Sequence, residues 1–283
     1  MKIDSRTIVC TSAALVAFAG NSVLTRLALG RSTIDAATFS TVRIAGGAMM
    51  LLATAAVSQS GGVRFKGSWV SAAVLFLYAI PFSFAYTSLT AGTGALILFG
   101  VVQLTMVIAA VLAGERPHWS QWIGLAMASA GLVYLVFPGL RAPSLSGSLL
   151  MAVAGVMWGV YSLRGRGARD PLQLNMSNFV RALPLAAFIS AVTLNHIYVT
   201  STGLLLAFTS GAITSGLGYV LWYTALRNLS ATRAAIVQLL VPVLAGAGGV
   251  AFLGETLSLR LVISGIVVLG GIALALTGGQ RFG

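Results

Sequence analysis

Ten apolar stretches of about twenty residues follow one another with only short connections, and that leaves this chain few ways to fold. They fall at 7–29, 35–58, 68–89, 91–113, 119–138, 146–163, 171–194, 201–226, 231–253 and 258–278. As a helix, a run such as 68–89 is about 33 Å long, enough to cross the hydrocarbon core of a bilayer. Inside lipid every backbone polar group must be bonded within its own segment, so such runs are helices. Charge is too sparse for any other exterior: 8% of the chain is charged and its mean hydropathy is +0.96, against about 25% charged in a soluble domain. The 33 glycines are scattered through the runs, where small residues let membrane helices pack closely. The expectation is an all-α membrane protein of ten transmembrane helices, surrounded by the lipid bilayer, monomeric, with no appended soluble domain.

The formal charge of +12 does not point to nucleic acid. The bases lie between the apolar runs instead of on one basic face, which is where membrane topology uses them. The N-terminus, the even-numbered loops and the C-terminus hold eleven: Lys2, Arg6, Arg64, Lys66, Arg116, Arg164, Arg166, Arg169, Arg227, Arg233 and Arg281. The odd-numbered loops and their borders hold four: Arg26, Arg31, Arg141 and Arg260. Both termini are therefore expected in the cytoplasm, with the chain in the inner (plasma) membrane. Lys2 and Arg6 ahead of an apolar run with AFA at 17–19 imitate a secretory signal. The run continues past that point, so it is expected to stay as the first helix. With one cysteine, Cys10, and two loop histidines, His118 and His196, no metal site and no cofactor are expected.

The runs also repeat. YTSL at 86–89 closes run three, and YTAL at 223–226 closes run eight, 137 residues later. AGERP at 113–117 closes run four and LGETL at 253–257 closes run nine. Run two opens at Asp35 and carries Arg43; run seven opens at Asp170 and carries Arg181. AGN at 19–21 in run one corresponds to WGV at 158–160 in run six. The chain divides into two five-helix units, 1–140 and 141–283. An odd number of crossings makes the second unit enter from the opposite side, an inverted repeat of the kind secondary transporters use.

These landmarks resemble the EamA-type branch of the drug/metabolite transporter superfamily: two five-helix halves, each with Gly-Glu near the end of its fourth helix and Arg inside its second. Within that branch the chain looks most like YddG-type exporters of aromatic and other amino acids. The resemblance covers almost the whole chain and departs in one place, where Ala19-Gly20 stands for the Trp-Gly seen at Trp158-Gly159. It implies helices around a central cavity, with the fifth and tenth peripheral, and export of small metabolites.

Read without the family, the candidate substrate contacts are the polar and aromatic groups in mid-span, since such repeats bind solute near the midplane. Run three offers Tyr78 and Phe82, with Tyr86 four residues on; run eight offers Ser215, Tyr219 and Trp222; run six offers Trp158 and Tyr161; runs one, four and nine offer Asn21, Phe99, Gln103 and Gln238. Packing is the plainer role for each ring, and an interfacial belt for Tyr86 and Tyr223 near helix ends. An amide can equally be glue between helices. Pro81, Pro184 and Pro242 free a carbonyl inside a span, as a hinge or merely a kink.

An arginine within a span needs a partner or water. Counting along the helices, Arg43 meets Glu255 at one face and Arg181 meets Glu115 at the other, two related gating pairs. A helix-end carbonyl or a substrate carboxylate is the other possible partner. No nucleophile–base or acid pair lies within a span, so no enzyme is expected. Asp4, Asp35, Glu115, Asp170 and Glu255 all fall in the tail or at helix ends. A proton-coupled carrier keeps an acid or histidine inside the membrane, and no phosphate-binding loop of the G-x-x-x-x-G-K-[ST] kind occurs. The reading is an uncoupled uniporter for neutral or zwitterionic solutes such as amino acids. Proton- or sodium-coupled export and nucleoside carriage are the alternatives.

Overall fold

A computed structural model describes residues 4–58, 63–112, 119–137, 142–229, 234 and 237–277. These form α1 (Ser5–Gly30), α2 (Ala36–Val57), α3 (Trp69–Tyr86), α4 (Ala91–Leu112), α5 (Trp119–Val136), α6 (Leu145–Gly165), α7 (Pro171–Val192), α8 (Ser201–Leu226), α9 (Leu240–Leu253) and α10 (Leu259–Thr277). No strand occurs among the described residues; one isolated bridge joins Ile34 to Val199. By length and composition, α1, α2, α3, α4, α6 and α8 are able to cross a membrane, and α5, α9 and α10 hold shorter apolar stretches. The chain is thus an all-helical, multi-pass membrane protein.

Local chemistry sets the helix starts. Asp35, Ser68, Ser144, Asp170 and Thr200 each cap a helix by accepting a bond from the N–H three residues on, which satisfies a donor that the first turn leaves open. Pro171 follows its cap as the first residue of α7, where its missing N–H costs nothing. The narrow gap between runs three and four is a real break. α3 ends at Tyr86, and the Thr90 hydroxyl accepts the Thr93 N–H at 3.3 Å to start α4. Gly254, at φ +67°, closes α9 in the left-handed conformation that glycine adopts freely.

α3 packs on α6 and α7, α2 on α7 and α8, α1 on α8 and α9, α4 on α6 and α9, and α5 lies along α10. Apolar side chains such as Val9, Val16, Met49, Phe188, Leu205 and Ile266 cover the outside. Polar ones turn inward: Gln173, Asn175, Ser177 and Asn178 of α7 are buried. This is the distribution expected when lipid is the solvent and polar groups must find partners inside the bundle.

Candidate functional site

At the centre of the bundle sits a closed cluster of aromatic rings, built from α1, α2, α3, α4, α6, α7 and α8. Phe18 of α1 is its hub. Its ring centroid lies 5.4 Å from Trp158, 5.7 Å from Trp222, 6.1 Å from Tyr219 and 6.3 Å from Phe99. Trp158 in turn lies 5.1 Å from Tyr78, 4.6 Å from Tyr219 and 5.9 Å from Tyr161. Tyr78, Phe82 and Tyr86 stack along α3 at 5.3 and 4.8 Å, the one-turn spacing expected of residues four apart. Phe18, Asn21, Ser22, Tyr78, Phe82, Leu98, Phe99 and Trp158 line a cavity of about 10 Å³. That is room for no more than one water.

Arg43 lies inside this cluster, 2% exposed. Its Nε donates to Ser215 Oγ at 3.1 Å and its Nη2 to the Tyr219 hydroxyl at 3.1 Å. Its guanidinium carbon stands 4.7 Å from the Phe82 ring centroid and 5.2 Å from that of Tyr78, within reach of cation–π attraction. Nη1 has no hydrogen-bond partner among the described residues. Asn21 fixes the opposite wall. Its Oδ1 accepts from Ser210 at 2.7 Å and Thr214 at 3.2 Å, and its Nδ2 donates to the Tyr78 hydroxyl at 3.4 Å.

Two local features put these groups in register. Ser210–Leu217 of α8 winds as a π-helix. The wider turn changes which side chains face inward, a device common at functional sites; here it turns Ser210 and Thr214 to Asn21 and Ser215 to Arg43. The segment also brings Gly211 against the Arg43 backbone, where a Cβ would lie 2.8 Å from Arg43 Cα and 2.7 Å from its carbonyl carbon. Only glycine permits α2 and α8 to come so near.

Both ends of the cluster are tied. At the end that holds the α1 C-terminus, Arg26 Nε donates to Glu255 Oε1 at 3.3 Å and Arg26 Nη1 to the Tyr86 carbonyl at 3.0 Å. The Glu255 carboxylate also accepts the Ala91 N–H at 3.1 and 2.9 Å. One half-buried carboxylate thereby joins α1, α4 and the end of α9. At the opposite end Lys66 pairs with Asp170 at 3.3 Å, Arg164 Nε donates to Ser71 Oγ at 3.0 Å, and Asn228 donates to Thr7 Oγ1 at 2.9 Å.

The structure brings together most of the residues singled out in the sequence: Asn21, Tyr78, Phe82, Phe99, Trp158, Tyr161, Tyr219 and Trp222. Gln103 is elsewhere. It lines a separate cavity of about 10 Å³ against α5 and α10, because one turn beyond Phe99 those helices cover α4. Gln238 is also apart; it donates to the Ala234 carbonyl at 3.2 Å within its own segment. The expected pairing of Arg43 with Glu255 is wrong: Glu255 takes Arg26, and Arg43 points into the aromatic cluster. Counting along the helices put them at one face, but Glu255 lies at the bundle end and Arg43 in the central cluster. Arg181 bonds Ser177 and stands 5.9 Å from the Phe65 ring centroid; Glu115, its expected partner, lies outside the described residues. Tyr86 and Tyr223 are fully buried, which rules out an interfacial belt and leaves packing. Pro81 is buried in α3 beside Phe82, and Pro242 is buried in the first turn of α9.

Sequence reasoning passed over Phe18, Phe179, Ser210, Thr214 and Arg26. Phe18 was visible three residues before Asn21 on the same helical face. The π-helical turn had no comparable signal.

Comparison with known proteins agrees with this architecture. The model of the EamA-like transporter family matches residues 145–277. An uncharacterized protein of Pseudomonas aeruginosa is 46% identical over 96% of this chain and 95% of its own. A Salmonella typhimurium protein named a probable amino-acid metabolite efflux pump is 23% identical over 71% of this chain and 72% of its own. A protein crystal structure superposes with a TM-score of 0.68 at 21% identity, covering 96% of this chain and 99% of that one, which speaks for the fold alone. The chain belongs to the EamA-like transporter family.

Proposed function

We propose that this protein exports small metabolites, amino acids foremost, across the inner membrane by alternating access about the aromatic cluster. The observation that carries the reading is the cluster itself. It is central, fully buried, and walled by α1, α2, α3 and α4 from one half and α6, α7 and α8 from the other. Apolar walls with a few fixed polar groups suit a small-solute pocket. The efflux activity named for the Salmonella relative supports amino acids as the class.

The packing pattern supports two inverted halves, 1–140 and 141–283, and ten crossings. Replacing each helix by its counterpart five later turns α3–α6 into α8–α1, α4–α6 into α9–α1 and α2–α8 into α7–α3; the pairs α2–α7, α4–α9 and α5–α10 map onto themselves. All of these contacts are present. The lysine and arginine distribution supports a cytoplasmic location for both termini, which sets the Arg26–Glu255 tie on the periplasmic side. The described acids sit at helix ends, where Asp35 caps α2 and Asp170 caps α7, which supports transport without proton coupling.

The test is reconstitution into proteoliposomes with amino acids, nucleosides and cationic dyes. Saturable flux of neutral amino acids that follows only their own gradient is expected. Uphill accumulation tracking an imposed pH or sodium gradient would sink the uniport part. Saturable flux of dyes or nucleosides with none of amino acids would sink the substrate class.

A further inference from the structure

The polar atoms of the cluster do not balance. Arg43 stays protonated in any protein environment, yet no carboxylate reaches it among the described residues; the two ion pairs there, Arg26–Glu255 and Lys66–Asp170, lie at the bundle ends. Two of its nitrogens are bonded and Nη1 is not. The indole N–H groups of Trp158 and Trp222, both within the ring cluster, are also buried without an acceptor. The Asn21 carbonyl oxygen already takes two hydroxyls, and no carboxylate is among the residues that line the cluster cavity. A buried cation and unmet donors are costly in an apolar enclosure. A ligand that brings negatively charged oxygen would remove both costs.

We infer that the cluster takes a solute by a single carboxylate, with Arg43 Nη1 as its anchor, and that the solute's amino group is dispensable. The inference deepens the exporter reading and rests on it. One free guanidinium N–H on one buried cation matches a monoanion. A phosphate dianion would call for a second buried cation, and Arg181 is engaged with Ser177 and Phe65. An ammonium would call for a carboxylate, which the described lining residues do not offer, and would face the Arg43 cation. The rings supply the apolar remainder of the site. A simple aromatic carboxylate should therefore compete as well as the matching amino acid, and the matching amine should not.

The experiment uses the full-length protein in detergent, with binding read as ligand-induced thermal stabilisation, beside flux in proteoliposomes. The probes are phenylalanine, 3-phenylpropionate and phenethylamine. The two carboxylates should bind within a few-fold of each other, and the amine at least roughly tenfold more weakly, the factor expected from one charge-assisted bond. Arg43→Gln should erase the difference. Arg43→Lys, which keeps the charge, should retain the preference at reduced affinity. Equal binding of the amine by the unaltered protein would overturn the inference however the variants fold. So would a requirement for the amino group, seen as failure of 3-phenylpropionate alone. Carboxylate binding without any flux would sustain the anchor and sink the exporter reading instead.

Discussion

Gly211→Ala is the substitution whose effect can be worked most directly from distances. A Cβ there would lie 2.8 Å from Arg43 Cα and 2.7 Å from its carbonyl carbon, and both are backbone atoms that no rotamer change can move. The Arg43 carbonyl oxygen would be closer still; carbon atoms rest at about 3.5–4.0 Å, so α8 must retreat from α2 by at least about 0.8–1.3 Å. Ser215 and Tyr219 retreat with it. The guanidinium rests over the Phe82 and Tyr78 rings of α3, which do not move with α8. Its bonds, both 3.1 Å, then stretch to about 3.9–4.4 Å, past the useful range. Losing two bonds to a charged group costs about 3–6 kcal/mol, offset by about 1 kcal/mol for alanine over glycine in a helix. The expected net loss is about 2–5 kcal/mol, with weakened solute binding. Gly20→Ala is the control: its Cβ would meet only Thr214 Cγ2, at the ordinary contact distance of 3.6 Å. Thermal unfolding in detergent, with flux for half-saturation, measures both. A Gly211→Ala protein as stable and as avid as the parent, or equal damage from Gly20→Ala, would refute the reasoning.

Glu255→Gln keeps an acceptor for the Ala91 N–H but removes the ion pair with Arg26, which is worth about 1 kcal/mol at a partly exposed site. The end closed by that pair should open about fivefold more often, read as thiol labelling of S22C in a C10A background; an unchanged labelling rate would show the tie does not gate. Trp158→Ala removes a ring shared by Phe18, Tyr78, Tyr161 and Tyr219 and should shift preference toward larger apolar side chains. A competition panel on normally folded protein checks this, and an untouched solute ranking would mean the ring only packs.

Much of the bundle was legible because lipid imposes a simple rule, that apolar runs long enough to cross become helices. Of the tyrosines that marked the repeat, Tyr86 ends α3 and Tyr223 lies three residues before the end of α8, and both are fully buried. The mid-span rings were legible because a tyrosine hydroxyl or indole N–H has no partner in lipid and must turn inward. What the sequence hid was rotation about the helix axes. Counting along the helices set Arg43 and Glu255 at one face, but Arg43 turns into the central cluster while Glu255 ties the bundle end. Gln103 follows Phe99 by four residues yet meets another pair of helices. The π-helical turn in α8 adds to this, since it departs from the regular 3.6-residue period by which facing is read. The ring hub at Phe18 was overlooked because an aromatic in an otherwise apolar helix reads as ordinary filling.

Arg43 bears on mechanism through what it holds when no solute is bound. It belongs to α2, in the first of the two proposed halves, and its two hydrogen-bond partners, Ser215 and Tyr219, belong to α8, in the second. In the proposed uniport cycle the carrier must return empty, so the empty site has to be stable enough to close. Two bonds and two ring faces keep the cation tolerable in that state, while the third nitrogen stays open to a solute. Asn21 spans the same divide, from α1 to Ser210 and Thr214 of α8. The cavity of about 10 Å³ between these contacts is far below the volume of any amino acid. Solute therefore cannot enter unless the rings of the two halves part, and the contacts that resist parting are the ones built around Arg43 and Asn21. Binding and the motion that releases solute are in this way governed by the same few side chains. On the uniport proposal, that arrangement couples occupancy to opening.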